Sequence, residues 1–125
     1  MSKKIQWCDR AIFISPIFYT IVTSYEIFEK ICKRMGCPPP DVNTGGDATT
    51  FLLEHSNGNK ACVVYFPHKK KDLIYQALIV HEAVHIWQHI REDIGEVKPS
   101  AEFEAYAIQI IPQRLLEEYH RQVKR

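Results

Sequence analysis

A chain of 125 residues and 14.6 kDa suits one hydrophobic core, because dividing it would leave each part too little apolar surface to bury. With 46% hydrophobic and 25% charged residues its composition is that of an ordinary globular protein, and no apolar run approaches the ~20 residues that span a bilayer. A formal charge of +1 offers no broad basic field, so neither nucleic acid nor membrane is expected as a partner.

The opening Met1-Ser2-Lys3-Lys4-Ile5-Gln6-Trp7 is basic but has no continuous apolar stretch and no small-residue cleavage site, so secretion by a cleaved signal is not expected. From Ser15-Pro16 onward Ile17, Ile21, Tyr25, Phe28 and Ile31 recur at three- and four-residue steps, which predicts a first helix from about Pro16 to Met35, stopped by Gly36. Pro38-Pro39-Pro40 and the run from Asp41 to Asp47 read as a loop. Two strand-like runs, Thr49 to Leu53 and Ala61 to Phe66, flank Ser56-Asn57-Gly58-Asn59, whose Asn-Gly suits a tight hairpin turn. The basic run His68-Lys69-Lys70-Lys71 reads as a solvated loop. Asp72 is the expected N-cap of a helix from Leu73 to about Glu92, stopped by Gly95. Pro99-Ser100 opens a last helix from about Ala101, which Pro112 is expected to kink or interrupt.

The four cysteines, Cys8, Cys32, Cys37 and Cys62, form no CxxC pair, and reduced thiols in a cytoplasmic protein are the expected state.

The chemistry concentrates in His81-Glu82-Ala83-Val84-His85. Imidazoles at i and i+4 lie one turn apart on a helix and can reach one divalent ion, zinc being the expected cofactor. Glu82, beside the first ligand, is placed to take a proton from water that the ion acidifies. Leu78, Ile79, Val80, Val84 and Ile86 bracket the motif and predict buried surroundings, in which two histidines and a carboxylate without an ion would be costly. Gln88 and Arg91 stand where an HExxHxxGxxH pattern needs glycine and histidine, which excludes that variant. His89 lies ~12 Å along the helix from His81 and is read as a surface or ligand-orienting histidine.

A third ligand must then come from downstream, and Glu102 and Glu104 on the last helix are the candidates. From His81 to Gln109 the sequence resembles the gluzincin group of zinc peptidases, which carry HExxH on one helix and a glutamate ligand on the next, often opening a Glu-x-x-Ala pattern. Both Glu102-Phe103-Glu104-Ala105 and Glu104-Ala105-Tyr106-Ala107 match it. It also resembles small metallopeptidase-like proteins of phage and prophage origin. Helical period would turn Glu104 toward the core with Ile108, Ile111 and Leu115, whereas Glu102 shares a polar stripe with Tyr106, Gln109 and Gln113. The resemblance and that stripe select Glu102 as the third ligand. Tyr106 reads as a packing residue or an oxyanion donor, and Trp7 and Trp87 as core residues or cleft walls. In related peptidases an edge strand that pairs with extended substrate precedes the motif helix, the place that Ala61 to Phe66 occupies here.

The expectation is one zincin-like metallopeptidase domain over residues 1–125, of α+β class, with an N-terminal helix, a small antiparallel hairpin or sheet and two C-terminal helices. Its metal ligands are His81, His85 and Glu102, its general base is Glu82, and its partner is a peptide or protein substrate cut internally. Two rivals are a non-catalytic zinc-stabilised regulatory protein that keeps the site, and a metal-free helical interaction module.

Overall fold

The computed structural model describes residues 17–40, 42, 48–68, 70 and 72–123. The class is α+β: β1 (Ile17–Val22), α1 (Tyr25–Arg34), β2 (Thr49–Glu54), β3 (Lys60–Tyr65), α2 (Leu73–Asp93) and α3 (Ala101–Val123). The three strands form one mixed sheet in the order β1-β3-β2, with β1 parallel and β2 antiparallel to β3.

The N-terminal helix expected from about Pro16 to Met35 is replaced by a strand and a shorter helix, and Pro16 itself lies outside the described residues. The four-residue recurrence of Ile17, Ile21 and Tyr25 ran across both elements. Within β1 the side chains alternate between the sheet faces, Ile17, Tyr19 and Ile21 joining one cluster and Val22 the other, with Thr20 buried as well and Phe18 alone exposed. β-Branched and aromatic residues favour that pleated setting, and pairing with β3 satisfies the backbone groups on that side. The expected antiparallel sheet is therefore mixed.

α1 ends as expected at Gly36, whose φ of +68° is a backbone state open to glycine at little cost. The hairpin also forms where the sequence placed it: Gly58 takes φ +94°, its N–H donates to the His55 carbonyl (2.9 Å), and Asn57 Oδ1 accepts from the Asn59 N–H (2.9 Å). Asp72 stands at the N-cap of α2 with extended backbone, though its side chain makes no capping bond. α3 runs unbroken from Ala101 to Val123 with Pro112 inside it, so the expected interruption does not occur.

Two clusters hold the layers together. On one sheet face Tyr19, Ile21, Cys62, Val64 and Phe66 pack against Ile79, Ala83, Ile86, Trp87 and Ile90 of α2 and Ala107, Ile111, Leu115 and Tyr119 of α3. On the other, Val22, Leu53 and Val63 pack against Phe28, Ile31 and Cys32 of α1. The sheet thus lies between α1 and the α2/α3 pair. Tyr119 ties the segment between β3 and α2 to α3: its hydroxyl donates toward the Lys70 carbonyl (2.6 Å) and accepts from the Lys70 N–H (2.9 Å). Lys60 and Asp93 form an ion pair that joins the start of β3 to the end of α2. No helix among the described residues is long and apolar enough to cross a membrane.

Candidate functional site

α2 carries apolar residues at helical spacing on the flank facing the sheet, which leaves its opposite side to solvent. His81 and His85 lie on that open side, with ring centroids 5.0 Å apart and planes at 80°. Of the three side chains that carry the motif's chemistry, only Glu82 is buried. The His81 side chain is 65% exposed, Val80 is exposed too, and Glu82 is only 6% exposed. Apolar neighbours in sequence fell on a different flank of the helix from the imidazoles, so the cost of burying histidines does not arise here.

Glu82 points from α2 to β2. Thr50 Oγ1 donates to Glu82 Oε1 at 2.7 Å, and Glu82 Oε2 lies 4.0 Å from His81 Nε2. One carboxylate oxygen is thus tied to the sheet, and the other faces the His81 imidazole. A buried carboxylate needs such a partner. His85 Nδ1 meets Gln88 Oε1 at 3.0 Å, an arrangement that, with the proton on Nδ1, leaves Nε2 as the lone-pair nitrogen. Sequence reasoning missed Thr50 and the role of Gln88. A hydroxyl on a strand distant in sequence left no periodic signal, whereas Gln88, one turn after His85, was accessible to an i, i+3 argument.

β3 cannot be the edge strand, because β1 and β2 flank it on both sides. Among the described strands, the one beside Glu82 with an outer edge is β2. The expected role of Ala61 to Phe66 in pairing with substrate is corrected accordingly, since a central strand has its backbone groups committed to its neighbours.

The two glutamates of α3 part company. Glu104 Oε2 accepts from the Trp87 indole N–H at 2.8 Å and lies 4.0 Å from Arg91 Nη1. Trp87, nearly fully buried, packs edge-on against Phe103 and is a core residue. Glu102 is exposed on the first turn of α3. At roughly 100° per residue, Trp87 and Arg91 mark the flank of α2 that meets α3, and Glu82 marks the flank that meets β2. The imidazoles lie around the helix from Trp87, on the solvent side. Among the described residues no three His, Cys, Asp or Glu side chains are gathered as a metal-binding group. The His81 and His85 rings adjoin and Glu82 Oε2 stands 4.0 Å from His81 Nε2, while neither Glu102 nor Glu104 is grouped with the imidazoles as a metal-binding set among the described residues.

Tyr106 is 53% exposed on α3, and His89 is half-buried on α2. Trp7 and Cys8 lie outside the described residues, as do Lys69 and Lys71 of the basic run. Cys32, Cys37 and Cys62 are free thiols.

In donor chemistry the imidazole pair fits a zinc ion, neutral histidine being its ordinary nitrogen ligand, and the adjacent acid is of the type that works beside such an ion. Among the described residues a third protein donor is not assembled with them. Comparison of the chain with protein-family models, curated protein sequences and solved structures gave no match.

Proposed function

We propose that the chain is a zinc-dependent peptide hydrolase, with His81 and His85 as metal ligands, Glu102 as the third ligand and Glu82 as general base. The observation that carries this reading is the setting of Glu82: a buried carboxylate, held through Oε1 by Thr50, with Oε2 4.0 Å from the exposed His81 imidazole, which adjoins that of His85. A bound zinc ion would supply Lewis acidity at a peptide carbonyl and make nearby water more acidic. Glu82 Oε2 takes the water's proton and hands it to the departing amide nitrogen, while Thr50 keeps the carboxylate from rotating away. Gln88 fixes the ring of His85. The outer edge of β2 offers backbone groups to an extended peptide beside Glu82, and endopeptidase action suits recognition of that kind.

Glu82→Gln tests the assignment. It should keep stoichiometric zinc and lose roughly 10²-fold to 10⁴-fold in peptide hydrolysis. Undiminished hydrolysis would remove Glu82 from the mechanism.

One observation favours a second reading, a non-catalytic zinc-stabilised or regulatory protein: Glu104 is engaged by Trp87 and Arg91, and among the described residues Glu102 is not grouped with the imidazoles. X-ray absorption of the zinc-loaded protein separates the two readings. Two histidines, one carboxylate and an exchangeable water support the hydrolase, and a site closed by protein donors supports the alternative.

A further inference from the structure

The C-terminus of α1 joins two cysteines through their backbone. Gly36 donates to the Lys33 carbonyl (3.1 Å), and Cys37 donates to the Cys32 carbonyl (2.9 Å), the paired bonds of a helix closed by a left-handed glycine. The longer bond joins Cys32 and Cys37, positions whose side chains in this motif often pack together over the helix end, and Cys37 is close enough to act electrostatically on the Cys32 thiol. Covalent geometry on either side of the 2.9 Å bond keeps their Cα atoms within about 7 Å, the upper end of the range that a disulfide spans. Both belong to the cluster around α1, whereas Cys62 is buried on the opposite sheet face and does not compete.

We propose that Cys32 and Cys37 are an oxidisable dithiol that closes to an intramolecular disulfide on exposure to a small-molecule disulfide. Their accessibility orders the steps. Cys37 is half-buried, its Sγ directed at the Met35 and Glu54 carbonyls at 3.6 Å each, while Cys32 is fully buried. The Cys37 thiolate attacks one sulfur of the small disulfide, forming a mixed disulfide and releasing one thiol. The Cys32 thiolate then attacks the Cys37 sulfur and releases the second thiol. Two protein S–H bonds are lost, the small disulfide is reduced to two thiols that take up both protons, and one S–S bond forms. Burial, aided by the nearby Cys37 and Glu29, raises the Cys32 thiol above its usual range, which lowers the share of thiolate available for the second step.

The test treats the full chain with oxidised glutathione, digests it with trypsin and maps the cysteines by mass. Trypsin cuts after Lys33 and Arg34, between the two cysteines, so the proposal requires the Cys32 and Cys37 segments to stay joined until reductant is added. Cys37→Ser, at a partly exposed position, should abolish the link and leave Cys32 free, and Cys32→Ser should leave glutathione on Cys37. A stable adduct on Cys37 beside a free Cys32 would overturn the proposal, as would a link from Cys37 to Cys8 or Cys62, or both thiols staying free while Cys8 reacts.

Discussion

Thr50 Oγ1 donates a 2.7 Å hydrogen bond to Glu82 Oε1, and through it the edge strand β2 holds the one buried acid of α2. The bond joins residues 32 apart in sequence and sets which carboxylate oxygen faces the His81 imidazole. Fold and proposed chemistry depend on it together.

Thr50→Val keeps the branched shape and removes the donor, leaving a buried carboxylate oxygen without its partner. Stability should fall by about 1–3 kcal/mol in urea unfolding. Hydrolysis should fall through kcat at unchanged zinc content, and Thr50→Ser should restore both. A Thr50→Val protein as stable as the parent would show that Glu82 draws nothing from the strand.

The two exposed imidazoles allow metal binding to be separated from folding. His81→Ala and His85→Ala should each abolish tight zinc binding in calorimetry, yet leave the unfolding transition of the metal-free protein in place, because neither ring fills the core. Gln88→Ala should weaken zinc binding by roughly 10-fold to 100-fold by freeing the His85 ring. Equal affinity in Gln88→Ala would show that the 3.0 Å contact does not orient the ligand.

What could be read from the residues divides along physical lines. The Asn57-Gly58 turn, the glycine stop of α1 and the start of α2 depend on local backbone chemistry, and local sequence carried them. β1 was misread because Ile17, Ile21 and Tyr25 satisfy a helical period, while the pairing with β3 that decides the matter is non-local. The same limit hid Thr50. The HExxH spacing did place His81 and His85 side by side, but it could not tell which flank of α2 would face solvent, and so misjudged their burial. Nor could helical period alone foresee that Trp87 would engage Glu104.

Glu102 and Glu104 should respond oppositely to substitution. Glu104→Ala strands a nearly fully buried indole N–H and should cost about 1–3 kcal/mol of stability, visible as a lowered Tm of the metal-free protein. Glu102→Ala should leave that Tm unchanged and reduce zinc affinity, since its proposed role is exercised only with metal present. If instead Glu104→Ala abolishes zinc binding and Glu102→Ala does not, the third ligand is Glu104, released from Trp87 on loading.

Cys62 sets a pH limit on the sheet core. It lies fully buried on β3, and burial pushes its thiol from 9.0 up to about 12. In the unfolded chain the thiol ionises near its ordinary value, so the unfolded state gains from rising pH before the folded state can. A folded pKa raised above the unfolded one gives a contribution that is intact below pH 9.0 and is lost as pH climbs toward about 12. Within that window this one thiol should lower stability by about 1.4 kcal/mol per pH unit. Urea unfolding of the parent and of Cys62→Ala across the window isolates the effect from the tyrosines and lysines that titrate alongside. The difference between the two should shrink steadily as pH rises, and a constant difference would mean that the thiol ionises as readily in the folded core as in water.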